Sequence, residues 1–154
     1  MAGYFVDSSA VVKRYVQETG SVWLSGLVTP AAGHDIYIAR ITTVEVIAAL
    51  TRRARGRTVP TADARAACLL FRNDVRHDYE VIEMTATLLN RAMMLAETHG
   101  LRGYDAVQLA AACEVNAFYI VHGLPSLSMI SADSDLNSAA TAEGLLVDDP
   151  TAHP

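Results

Sequence analysis

The sequence predicts an α/β fold, with a central, mostly parallel sheet of four to five strands flanked by helices on both faces. Three observations predict it. Short apolar runs alternate with longer segments of helical spacing along the whole chain, the pattern of a parallel sheet covered by crossover helices. The 154 residues are 51% hydrophobic, with a mean hydropathy of +0.22, enough apolar material for one ordinary core. No internal repeat or low-complexity segment interrupts the pattern. A single domain over residues 1–154 is expected.

The elements follow in order. Residues 4–6 form a short apolar strand, then one helical stretch runs to about residue 17 and a second to about residue 28. "DIYIAR", 35–40, alternates as a strand does. "TTVEVIAALTRRARGR" has helical spacing, with Thr42 and Glu45 in capping-box register and a last turn of arginines and Gly56, which suits cations and a left-handed glycine. Pro60 and Thr61 open a helix that runs to about residue 77, and "EVIEM" follows as a strand. Residues 85–99 read as a helix closed by Gly100, and 104–115 as a helix that is apolar on nearly every side. "SLSMIS", 126–131, reads as a strand, 135–143 as a helix, and "LLV" as a last short strand.

Composition narrows the function. With 12 basic against 17 acidic residues the formal charge is −5, so the chain is not a polyanion binder coated in positive charge, and any nucleic-acid contact must be local. Cys68 and Cys113 lack ligand spacing and suggest neither a disulfide framework nor a zinc site. The N-terminus lacks a signal-peptide pattern. The longest uncharged run, 115–132, is interrupted by Asn116, His122, Gly123, Pro125 and serines, so it reads as a helix end, a loop and a strand rather than a membrane span. A cytoplasmic protein without membrane association is expected.

In open α/β sheets, sites form beyond the carboxyl ends of the strands. Four acids stand there: Asp7 after "YFV", Glu45 in "TTVEV", Asp105 in "GYDAV" and Asp133 after "SMIS". Each alone has a plainer explanation. Asp7 suits an N-cap, Glu45 a capping box, Asp105 a helix dipole, and Asp133 or Asp135 a cap on the following helix. Those explanations require solvent nearby, because an unpaired buried carboxylate costs several kcal/mol. Asp105, however, shares its helical face with Leu109, Ala112 and Cys113, an inward-pointing stripe. Brought together, the four acids make an all-oxygen pocket suited to Mg2+ or Mn2+, and phosphodiester hydrolysis is the natural reaction class.

In this order and at these distances, "FVDSSAVVKRY", "TTVEVIAAL", "LRGYDAVQLAAA" and "MISADSDL", with the closing "ATAEGLLVDDP", resemble the PIN-domain ribonucleases, specifically the VapC-type toxins of bacterial toxin-antitoxin pairs. The resemblance spans essentially the whole chain. It implies a PIN-like fold and a magnesium-dependent endoribonuclease, usually a homodimer, which cuts cellular RNA and is neutralised by a cognate VapB-type antitoxin. It implies products with a 5′-phosphate and a 3′-hydroxyl. It makes Asp7, Glu45, Asp105 and Asp133 the catalytic, metal-binding acids. Asp135 is a fifth, water-mediated acid or a helix cap. Ser9 and Ser131 fall near the metal or the scissile phosphate, or else serve as turn and capping serines.

Further from the acids, "RRARGR" at 52–57 offers phosphate contacts or a solvated helix end, while Arg14, Arg40 and Arg102 would steady a phosphate or form surface ion pairs. Tyr104 would stack on a base or pack at the rim. Two rivals remain. Receiver domains require an adjacent acidic pair and a lysine after the last strand, whereas Ser8 follows Asp7 and the only lysine is Lys13. A catalytically silent PIN-like interaction module would need none of the four acids.

Overall fold

Strand β1 (Gly3–Val6) lies in the middle of the sheet because both of its faces are apolar: Phe5 packs in one core and Val6 in another. In the computed structural model, which describes all of residues 1–154, it pairs with β2 (Asp35–Ala39) on one side and β4 (Ser128–Ile130) on the other. Beyond β2 lies β3 (Glu80–Ile82), and beyond β4 lies β5 (Leu146–Asp148). All four pairings are parallel, in the order β3-β2-β1-β4-β5. From β1 the chain winds outward through β2 to β3, and later through β4 to β5, so the winding direction switches between β1 and β4. Loops diverge there at the carboxyl ends, leaving a crevice.

Side-chain alternation along the strands divides the interior. Phe5 and Met129 face a core built with α5 (Ala86–His99), α6 (Gly103–Val121) and α7 (Ser134–Ala142). Val6, Ile36, Ile38 and Ile130 face a second core with α2 (Ser21–Val28), α3 (Arg40–Arg55) and α4 (Thr61–His77). The short α1 (Ser8–Val11), prolonged by a 3₁₀ turn to Arg14, links β1 to the second core through Ala10, Val11 and Val12. No helix is long and apolar enough to cross a membrane.

Three local expectations are corrected. Helix α3 begins at Arg40, which places Thr42 inside it and fully buried, so no capping box forms. The helix does end in arginines, but Gly56 is not left-handed (φ −76°); Arg57 takes the positive φ instead. Helix α6 continues to Val121, past the expected end near residue 115. Asn116, one of the residues that suggested a helix end, is a buried partner that accepts a hydrogen bond from the Leu127 amide at 3.0 Å, and beyond it the Tyr119 hydroxyl donates to Asp35 at 3.1 Å. Tyr119 lies so close over β1 that a Cβ at Gly3 would fall 2.5 Å from its ring. Gly100 closes α5 in the left-handed region, as its position predicts.

Candidate active site

The turn after β1 places Asp7 at the crevice. Its backbone is extended, its carboxylate caps α1 by accepting from the Ala10 amide at 3.0 Å, and only 3% of the residue is exposed. The Ser9 hydroxyl donates to the same oxygen at 2.7 Å and the Ser131 hydroxyl to the other at 3.0 Å. Burial nevertheless outweighs these donors and pushes the Asp7 carboxyl up from the ordinary 3.8 to about 7, with a small further push from Asp105. Ser9 and Ser131 also stitch the two sides of the crevice together. Ser9 accepts from the Ala132 amide at 3.0 Å and Ser131 from the Asp133 amide at 3.1 Å. Ser131 is fully buried, so its hydroxyl supports Asp7 and does not reach a substrate.

Glu45 sits on α3, just inside the crevice. One of its oxygens accepts from the Ser8 hydroxyl at 2.5 Å and from the Gln108 amide at 2.9 Å; the other has no partner in the chain. Gln108, nearly fully buried on α6, also donates to Ser8 and Thr42, both at 2.8 Å, so one amide ties α1, α3 and α6 around the glutamate. Asp105 stands one turn earlier on α6, half-buried and without any hydrogen bond. Burial raises its pKa first; the negative charges of Asp133, Glu45 and Asp135 add to the rise, and Arg102 pulls it back. Asp7 follows β1 and Asp133 follows β4, Ser131 bonds across to Asp7, and Ser8 and Gln108 bond to Glu45, so the structure brings the four acids to one end of the sheet.

Asp133 caps α7 by accepting from the Leu136 amide at 2.9 Å, which leaves its second oxygen free. Asp135 is exposed in the first turn of the same helix, and its charge adds to the rise at Asp105. Arg102 is exposed at the N-cap of α6 and acts on Asp105 only through its charge. Arg40 pairs with Glu83, away from the acids. None of the four acids forms an ion pair: the chain's pairs are Lys13 and Arg53 with Glu18, Arg40 with Glu83, and two histidine pairs elsewhere. No three acids, histidines or cysteines are gathered closely enough to cage an ion as they stand. The donor set still fits a hard divalent cation, being entirely oxygen, with one unpartnered oxygen on Glu45, one on Asp133 and both on Asp105.

Residues 4–142 match the PIN domain family. The chain is 34% identical to ribonuclease VapC45 of Mycobacterium tuberculosis (strain CDC 1551 / Oshkosh), over 93% of this chain and 92% of that protein. It belongs to the PIN-domain VapC ribonuclease family. The solved structures agree in fold. M. tuberculosis VapC20, described as a sarcin-ricin loop cleaving toxin, matches with a TM-score of 0.61 at 18% identity, covering 98% of this chain and 99% of that one. Rickettsia felis VapBC2, solved with a DNA fragment from its promoter, matches with a TM-score of 0.62 at 13% identity, covering 96% and 98%.

Within this PIN-domain scaffold, sequence reasoning missed Ser8, Thr42 and Gln108. Gln108 carried a signal, being a lone amide inside the apolar run "AVQLAAA". Nothing in the sequence names its partners, because Ser8 and Thr42 lie 100 and 66 residues away.

Proposed function

We propose that this chain is a divalent-metal-dependent endoribonuclease toxin that hydrolyses phosphodiester bonds of cellular RNA, working with Mg2+ and accepting Mn2+ in its place. One observation carries the reading: four carboxylates at the carboxyl end of one parallel sheet, none paired with a protein cation. Repulsion among them is the cost of an anionic pocket that a cation relieves.

Asp7, Glu45, Asp105 and Asp133 are the residues that would hold the metal, with Asp135 at the rim. Bound there, Mg2+ supplies Lewis-acid stabilisation of phosphoryl charge and makes water nucleophilic near neutral pH. The chain's own part is orientation. Ser9, Ser131 and the Ala10 amide fix Asp7 at the floor of the crevice. Gln108 and Ser8 hold one oxygen of Glu45 and leave the other toward the opening. Arg102, exposed at the rim beside Asp105, is placed to meet a phosphate. The products would carry a 5′-phosphate and a 3′-hydroxyl. A VapB-type antitoxin would restrain the activity, a reading that relatives named as VapC and VapBC proteins support, and the working form would be a homodimer.

The test is cleavage of single-stranded RNA by the purified chain, with and without chelator, with 5′-end mapping of the products. Parent activity that chelator abolishes, Mg2+ restores, and Asp7→Asn and Asp105→Asn each remove is the expected result. Undiminished cleavage by both variants after metal is returned would overturn the assignment. Crystals soaked in Mn2+ give a second readout, since a silent interaction module would order no ion between the carboxylates.

A further inference from the structure

An open groove of about 810 Å³ runs from the acid pocket along α3. Ser8, Ser9 and Glu45 line one end, Arg52 and Arg53 the other, and Tyr104 stands in its wall. The two arginines differ. Arg53 donates to Glu18 at 3.1 Å, and Lys13 binds the same glutamate at 3.1 Å, so Arg53 is already held by a carboxylate of the chain. Arg52 is exposed and has no ion pair or hydrogen bond. It follows Glu45 by seven residues on the same face of the helix, which sets it about 10 Å further along the groove. Tyr104 is 61% exposed, and its ring contacts no other aromatic while its hydroxyl bonds to nothing. Beside it the floor is apolar, with Val44 64% exposed.

We infer that a single-stranded RNA leaves the cleavage pocket along this groove, with one base stacked on Tyr104 against Val44 and a phosphate further along bound by Arg52. The inference rests on the nuclease reading, because the strand being cut must pass the groove mouth formed by Ser8, Ser9 and Glu45. An unpaired aromatic on an apolar floor next to an unpaired guanidinium is what a splayed, stacked strand requires. It also explains how a chain of charge −5 retains RNA: the attraction is confined to one track. A basic peptide segment, the rival occupant, would gain from Glu45 but would meet Arg52 two turns on.

The experiment compares the parent chain with Arg52→Gln, Tyr104→Ala and Tyr104→Phe on one single-stranded oligoribonucleotide in Mg2+. KM and kcat are measured, and binding is followed as salt is varied. Arg52→Gln should raise KM about tenfold, leave kcat within about twofold, and lower the slope of log affinity against log salt by about 0.7, one single-strand phosphate contact. Tyr104→Ala should raise KM about tenfold, within the range of one lost base stack, and Tyr104→Phe should restore it. Unchanged KM and salt slope in both Arg52→Gln and Tyr104→Ala would overturn the inference. So would failure of phenylalanine to rescue, or variants that keep RNA kinetics while losing only a basic antitoxin segment. If the parent binds RNA without cutting it, the nuclease reading fails and the binding arm alone decides the groove.

Discussion

Asp7 and Asp105 are both carboxylates of the same crevice, yet they are built in opposite ways. Asp7 is buried, capped onto α1 and held by two hydroxyls and an amide, whereas Asp105 projects from the first turn of α6 with no hydrogen bond. One is fixed in place and the other is free to adjust. A pocket that must accept a cation benefits from both: a rigid oxygen to define the position, and a compliant one to close the coordination.

Replacing either acid should break catalysis, while their effects on folding should part. Asp105→Asn and Asp7→Asn are each expected to lower RNA cleavage about 1,000-fold or more, the loss of several kcal/mol of charge stabilisation, read from single-turnover rates in Mg2+.

Stability should then separate the two. The pKa of Asp7 is higher folded than unfolded, so the folded chain keeps a proton that the unfolded chain releases. The metal-free protein therefore loses stability as pH rises from 3.8 to about 7, and levels off above that. Asp7→Asn should flatten this slope and leave the metal-free chain more stable above pH 7, by up to about 4 kcal/mol, in denaturant titrations at several pH values. Asp105→Asn should flatten it less, because Asp105 is less deeply buried. An identical slope in parent and Asp7→Asn would remove burial as the cause.

Smaller effects sharpen the contrast between held and free groups. Gln108→Met removes the amide that fixes Glu45 and should lower cleavage about 10- to 100-fold, as loss of an outer-shell partner does, with a cooperative melt retained. Ser131→Ala should destabilise the chain by about 1–3 kcal/mol, through loss of its hydrogen bonds with Asp7 and the Asp133 amide, and shift the acidic limb of the pH-rate profile upward. Last is a control at a helix cap that touches none of the four acids. Thr85 caps α5 by accepting from the Leu88 amide, so Thr85→Ala should cost about 1 kcal/mol of stability with cleavage unchanged.

The order of strands and helices was legible because each strand is a short apolar run and each crossover helix keeps its own periodicity. Asp7, Asp105 and Asp133 were legible because they follow strands or open helices, whereas Glu45, expected in the first turn of its helix, lies in the second because α3 starts at Arg40. Less visible was whatever depends on distant pairing. The end of α6 was hidden because Asn116 looks like polar punctuation until Leu127 is seen to engage it. The spacing of Thr42 and Glu45 suggested a local cap, but α3 starts two residues earlier, and the threonine turns inward to Gln108. Both serines named near the metal or the scissile phosphate hold Asp7, an arrangement that requires β1 and β4 to be neighbours.

At the other end of the strands, Tyr119 lies across Gly3 and reaches to β2. Only glycine's bare backbone leaves room for that ring. Even an alanine there would lift the tyrosine off its seat and loosen the fastening between the long helix and the sheet. The margin far from the anions thus works as a hinge pin, holding the strands in line while the opposite margin bears crowded negative charge.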